Sequence, residues 1–478
     1  MLWHLHLRSA IIKNIAKERR ADDMFFTHDK QFYGRLFYLL VIVALQNVIA
    51  YSVNMADNMM LGSYSQTALS GAATVNQLQF LVQQATIAIG DGMVMLNAQY
   101  WGKRELSPIR SITGIALKGG LLFGTGMLLL TTFFPEQLIR IFTSDQSIIA
   151  EGVAYLTLIK YTYLFYILST ILMAALRSVE TVHISFWISV MSLIVNVSIN
   201  NVLIFGRLGF PEMGIRGAAV GTLAARILEF CVVLFYVARV DKQLRLFSEK
   251  FFRPNRELEA DYWQVAVPVI STNLLWSIAT PIQTAILGRL SADAIAANSV
   301  SNTIFQYLKV VSVSEASATS VVMGRTIGSG VTEPYRLKPY VRSLQAIFLA
   351  FGFAFGGILL LIRGPLLSLY ALTPGAMELA GQLILLMAFI YVGMAYQMPV
   401  ASGIIRGSGD TKFSMYVNLI STWGIVMPLY FAAAFWWKLP VFWVVLLLNS
   451  DQIFKCIPVA IRVNGYKWVH VLTRTDHA

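Results

Sequence analysis

Apolar stretches long enough to cross a bilayer recur from Phe37 almost to the end of the chain, separated by short polar or charged breaks. Twelve of them can be bounded, at roughly 36–57, 67–90, 112–134, 150–176, 182–206, 216–238, 262–287, 294–323, 341–362, 376–404, 413–436 and 438–461. A helix needs about 20 residues to span the hydrocarbon core. Backbone amides in lipid must be satisfied internally, so each run is expected to be helical. The pattern predicts an all-α polytopic membrane protein with twelve transmembrane helices.

The polar breaks divide the chain. The longest lies at 239–261, near the middle, and is dense in charge. It separates a segment 33–238 carrying helices one to six from a segment 262–462 carrying helices seven to twelve. Residues 1–32 and 463–478 form the two ends. Leu2, Trp3, Leu5, Leu7, Ile11, Ile12 and Ile15 alternate with basic residues, which suits either an amphipathic helix on the inner leaflet or a frayed extension. The two halves echo each other. Leu61-Gly62 returns as Leu287-Gly288, and at the same offset Ser65, Ala68, Asn76 and Gly102 return as Ser291, Ala294, Asn302 and Gly328. Arg177 with Thr181 is echoed by Arg406 with Thr411 at a slightly larger offset. Each half has an even number of spans, so the halves should enter the membrane alike, as two six-helix repeat lobes about an axis along its normal.

Composition narrows the class. Of 478 residues, 56% are hydrophobic and 13% charged, which excludes a soluble globular domain and a disordered chain. Cys231 and Cys456, both in apolar stretches, support neither a disulfide framework nor a metal cluster. Of the six histidines only His183 lies away from the ends. The chain has no cluster of nucleophile and base and no Walker-type loop, so it does not read as an enzyme. The net charge of +12 fits anionic lipid rather than nucleic acid. With twelve spans, the side holding both ends collects 26 Lys and Arg against 6 on the other. Both termini are therefore expected in the cytoplasm.

Four segments resemble the multidrug and toxic compound extrusion (MATE) transporters. They are Asp57 to Gly62 followed by Ala68 to Gln77; Gln99-Tyr100-Trp101-Gly102-Lys103; Asn196 to Gly206 with Gly209-Phe210-Pro211 and Gly214 to Ala219; and Arg406 to Lys412. The resemblance covers roughly 33–462, nearly the whole chain. It implies a bacterial cytoplasmic (plasma) membrane antiporter, monomeric, that exports cationic or amphiphilic compounds by alternating access. The drive would be inward movement of H⁺ or Na⁺, with no other cofactor.

The candidate chemistry follows from ionisable and polar groups at membrane depth, which are costly and therefore functional candidates. Asp57 matches the family's acidic residue in helix one, which implies a role in cation coupling, and its repeat partner is the neutral Gln283. Desolvation favours the neutral acid and bound Na⁺ the carboxylate, a basis for competition between cations. Asn196 and Asn200 share one helical face and offer carbonyl oxygens to a hard cation. Asp57, Asn196 and Asn200 are thus candidate Na⁺ ligands, and Thr222 matches the family's nearby threonine. Interhelical hydrogen bonding would explain the same polar residues without transport.

Asp91, between Gly90 and Gly92, is a candidate for the cavity, for gating, or for pairing with a basic loop residue. Some relatives carry acids in helices seven and ten; the positions here are Trp276 and Ala395. Gln283 and, in helix eight, Lys309 and Glu315 are candidates for the cavity or for gating. Glu315 could attract a cationic compound, or, though six residues apart and not stacked on one face, Lys309 and Glu315 could pair through their long side chains. Trp276, Tyr307, Tyr391 and Tyr396 could stack amphiphilic cations or simply pack. Arg226 with Glu229 and Asp451 with Lys455 read as self-neutralising pairs, and Lys160 as snorkelling or cavity-lining. Pro268 and Pro281 are expected to interrupt helix seven, and Pro399 helix ten. The alternative function is a lipid-linked saccharide flippase, which would need a wider, more basic cavity.

Overall fold

The computed structural model describes residues 25–247, 255–287, 292–368, 370 and 372–474. The apolar positions through Ile15 and the repeat partners Gly288 and Ser291 lie outside them. Helices account for nearly all described residues, in twelve rods. These are α1 (Lys30–Tyr64), α2 (Gln66–Lys103), α3 (Leu106–Phe133), α4 (Gln146–Ile159 continued by Thr162–Ser178), α5 (His183–Phe205) and α6 (Ile215–Val240). The second half repeats the order with α7 (Arg256–Leu287), α8 (Ala292–Gly328), α9 (Pro334–Leu367), α10 (Pro374–Ser408), α11 (Thr411–Trp436) and α12 (Val441–Asn464).

Nine rods are long and apolar enough to span a bilayer, and α4, bent by 52° at Lys160–Tyr161, makes a tenth. The other two, α2 and α8, are the second helix of each half. They are too polar to qualify because they face protein rather than lipid. Both run through the centre of the molecule, and α2 is buried almost continuously from Ala88 to Tyr100. This burial also explains why α2 runs on to Lys103, past the apolar stretch that marks it in the sequence.

The lobes meet symmetrically. α1 packs on α8, α7 packs on α2, and α2 crosses α8. Gly102 and Gly328, matched by the repeat, sit at that crossing. A Cβ on Gly102 would fall on the Arg325 carbonyl, and one on Gly328 would fall on the Gln99 carbonyl. Only glycine lets the two backbones approach this closely.

Around the crossing, the end of the molecule that carries Phe25 and Arg474, the terminal side, is sealed. Asp91 of α2 pairs with Arg177 of α4 at 3.2 Å and with Arg406 of α10 at 3.3 Å. The arginines echoed between the halves therefore converge on one carboxylate. Glu180 pairs with Arg325, and Thr27 and Tyr33 bond Ser343 at 3.1 and 2.9 Å. The segment after α12 passes beneath, where the Gln99 side chain bonds His470 and Leu472 at 3.0 and 2.8 Å. The pairing reading of Asp91 holds, with partners in both lobes. Asp91→Asn would leave two guanidiniums without their carboxylate. It is expected to lower stability by about 1–3 kcal/mol, and an unchanged thermal unfolding midpoint would refute this.

Towards the opposite end, the contacts between lobes thin out and stop. The last are Asn47 to Ser314 at 3.2 Å, Asn273 to the Gln84 carbonyl at 3.5 Å, Phe80 against Trp276 and Tyr307 against Met55. Beyond that level, no hydrogen bond, ion pair or ring contact joins the lobes among the described residues. The molecule is a wedge-shaped cleft, closed on the terminal side and open on the other.

The prolines act differently from expectation. α7 runs as one helix through Pro268 and Pro281, whereas Pro399 opens a wide π-type stretch, Pro399–Ile405. A membrane helix tolerates proline when neighbours take up the freed groups. The carbonyls freed here are those of Gln264 and Ser277, one turn before each proline, and the helix continues past both.

Candidate functional site

In the first lobe, α1 carries Asp57 in its last two turns and packs directly on α5. Asn196 and Asn200 lie one turn apart on the buried side of α5, 1% and 0% exposed. Asn200 Nδ2 donates to Asp57 Oδ1 at 2.6 Å and reaches Asn196 Oδ1 at 3.4 Å. Asn196 Nδ2 donates to Thr222 Oγ1 of α6 at 3.2 Å. The structure therefore brings together Asp57, Asn196, Asn200 and Thr222. Gly221 makes the room, because a Cβ there would collide with Asn200 Oδ1.

Asn200 Oδ1 is buried and has no hydrogen-bond partner. An orphaned carbonyl oxygen beside a carboxylate suits a small hard cation, which takes oxygen ligands. Asp57, Asn196, Asn200 and Thr222 are the residues that could hold it.

Two further residues lie at this site that the sequence did not assign to it: Tyr155 was not singled out, and Arg226 was read only as the partner of Glu229. Tyr155 of α4 is buried beside Asp57 and Thr222. Arg226, one turn beyond Thr222, acts electrostatically on Asp57. Its expected pairing with Glu229 is present at 2.6 Å, and Ser169 and Ser192 also donate to that carboxylate. The i,i+4 spacing of Thr222 and Arg226 was the available signal. Asp451 and Lys455 likewise pair, at 2.7 Å.

Among the described residues, the second lobe has no counterpart to this cluster. Gln283 bonds Met427 Sδ at 3.8 Å, and its backbone carbonyl accepts from Tyr430. Lys309 and Glu315 do not pair. Lys309 Nζ lies 4.1 Å above the centre of the Trp276 ring. Glu315 is 0% exposed, and neither of its oxygens has a hydrogen-bond partner. Tyr391 is fully buried and Tyr396 bonds Gln345, so both pack rather than line the cleft. Lys160 is buried at the α4 bend against Tyr161. Glu315→Gln keeps the shape and removes a buried unpaired acid. It is expected to leave the unfolding midpoint equal or higher, by up to about 3 kcal/mol; a drop would reveal a partner for the carboxylate.

Two repeat lobes, a cleft open at one end, and polar clusters at membrane depth fit a multi-pass membrane transporter. Comparison with known proteins agrees. The MatE family model matches residues 43–202 and 268–432, one block in each lobe. The chain belongs to the MatE family. It is 23% identical over 413 residues to the probable multidrug resistance protein YoeA of Bacillus subtilis, covering 84% of this chain and 87% of that protein. It is 24% identical over 433 residues to a probable multidrug resistance protein NorM of Thermotoga maritima, covering 90% and 92%. Among solved structures, a MOP superfamily transporter from Pyrococcus furiosus superposes with TM-score 0.81 at 16% identity, covering 92% of this chain and 99% of that one. The eukaryotic MATE transporter AtDTX14 superposes with TM-score 0.79 at 18% identity, covering 92% and 97%.

Proposed function

We propose that this protein exports small amphiphilic compounds across a bacterial cytoplasmic membrane in exchange for inward H⁺ or Na⁺. The observation that carries the reading is the cluster at Asp57, where a carboxylate, two amides and a hydroxyl from α1, α5 and α6 converge beside an orphaned oxygen. The relatives named as multidrug resistance proteins support the export of drug-like compounds.

The positive charge collected at the terminal end supports a cytoplasmic position for that end. The cleft then opens outward, the state in which cargo leaves and the driving cation enters. Cation arriving from outside neutralises Asp57. Its neighbours Asn196 and Asn200 hold it there through their carbonyl oxygens. Arg226, held by Glu229, also acts electrostatically on Asp57. Occupancy at Asp57 thereby changes the charge balance between α1, α5 and α6. A ligand shifts a two-state equilibrium only through such a difference between the states.

A flippase for pyrophosphate-linked lipids would need several free basic groups in the cleft. Arg226 and Lys455 are each held by a carboxylate and Lys160 is buried against Tyr161, so few basic groups besides Lys309 are left for a pyrophosphate, which supports export over flipping.

The test is transport by the purified chain in proteoliposomes of amphiphilic probes of either charge, ethidium and an aromatic carboxylate, under an imposed pH gradient and, separately, an imposed Na⁺ gradient. Movement driven by one gradient supports the reading and identifies the ion. Absence of movement under both would refute it.

A further inference from the structure

The floor of the cleft carries a positive charge that the cation cluster does not use. Lys309 of α8 is partly exposed, and no carboxylate lies within 4 Å of it among the described residues. Asp451, the acid that acts on it from α12, is already bonded by Lys455 at 2.7 Å. The ammonium rests on the indole of Trp276 from α7, which in turn meets Phe80 of α2 across the lobe boundary, ring centres 5.6 Å apart. Tyr307, two residues before Lys309, closes the same level by reaching Met55 of α1. These are the outermost contacts between the lobes, so they form the floor on which anything entering the cleft would rest.

We infer that this floor binds the acidic end of the cargo, and that an aromatic carboxylate is the preferred ligand. The inference rests on the transporter reading, narrows it, and departs from the cationic class that the family resemblance implied.

Three features of the floor support it. A cation–π contact satisfies one side of an ammonium and leaves its other N–H donors free. A lysine held over a ring inside a narrow cleft repels a second cation there and attracts an anion more strongly than it would in bulk water. Phe80 and Trp276, tilted at 58° to each other, offer ring faces and edges against which an aromatic body packs. Asp57 is engaged by Asn200 in the other lobe, Asp451 is held by Lys455, and Glu315 is fully buried. A ligand that places its acid on Lys309 and its ring on Phe80 and Trp276 therefore meets no opposing acid at the floor.

The experiment measures equilibrium binding to the full purified chain with three matched probes: 2-naphthoate, its methyl ester and 2-naphthylmethylamine. For the wild type, 2-naphthoate is expected to bind at least about tenfold more tightly than either of the others, with an advantage that shrinks at high salt. Lys309→Met should remove that preference while leaving the ester unaffected, and Lys309→Arg should retain it. Trp276→Ala should weaken all three aromatic probes. A wild type that prefers the amine or the ester, or a Lys309→Met chain that keeps its preference for the acid, would overturn the inference. Lys309→Met removes a charge from the membrane interior, and the ester control reports whether the variant is folded. Binding is measured without any gradient, so a failure of coupled transport in proteoliposomes leaves this result interpretable on its own.

Discussion

Asp57→Asn is expected to reduce gradient-driven export to the level of the uncoupled leak, a fall of about 10–100-fold if coupling contributes roughly 1–3 kcal/mol. Asparagine keeps the shape of the side chain and an oxygen that can accept from Asn200 Nδ2, so the hydrogen bond between α1 and α5 survives. The charge does not survive, and with it goes the group proposed to exchange a cation between states. Arg226 keeps its partner Glu229, so no guanidinium is stranded. The thermal unfolding midpoint should therefore change little, within about 1 kcal/mol. The measurement is transport of ethidium under the active gradient, alongside unfolding of the same preparation. Full transport in a folded Asp57→Asn chain would remove Asp57 from the coupling site.

The second large effect concerns the seal. Gly328→Ala would place a methyl group on the Gln99 carbonyl, a backbone atom that cannot rotate aside. Forcing an extra carbon into so tight a contact costs about 1–3 kcal/mol. That cost falls on the state in which α2 and α8 touch, so the variant should populate forms in which the terminal end is looser. A cysteine introduced at Ala98, which touches Gly324 across the crossing, should label about 5–100-fold faster in the Gly328→Ala background. Gly357→Ala on α9, where an added Cβ meets nothing within 4 Å, is the control and should not change labelling. Equal labelling in both backgrounds would mean that the crossing does not hold the terminal end shut.

Much of this architecture was legible before any coordinates. The apolar runs marked the rods because lipid imposes a length and a composition on each span. Asn196 and Asn200 were placed on one face by helical spacing alone, and the match of Gly102 to Gly328 located the axis between the lobes. The two least apolar rods, α2 and α8, were legible only in part. Their ends are buried against each other, and hydropathy registers contact with lipid, not contact with protein.

The candidate site divides in the same way. Asp57 stands out in the sequence because an acid within an apolar run is rare and costly. Its neighbourhood with Tyr155 and Arg226 does not stand out, since those residues come from two further helices. Arg177 and Arg406 were visible as an echo between halves, but not as two hands on Asp91, because that meeting depends on both lobes closing. The fate of Lys309 and Glu315 was undecided by spacing. Their helix directs the lysine onto Trp276 and encloses the glutamate away from any partner.

The sequence by itself determined the number of helices, the division into two lobes and the residue types at membrane depth. These follow from local composition and from a solvent that forbids unpaired backbone. The tertiary structure alone decided which end is closed, which charges are spent on one another and which remains free in the cleft. Those outcomes depend on helices separated by hundreds of residues in the chain, and no local pattern encodes the distance between them.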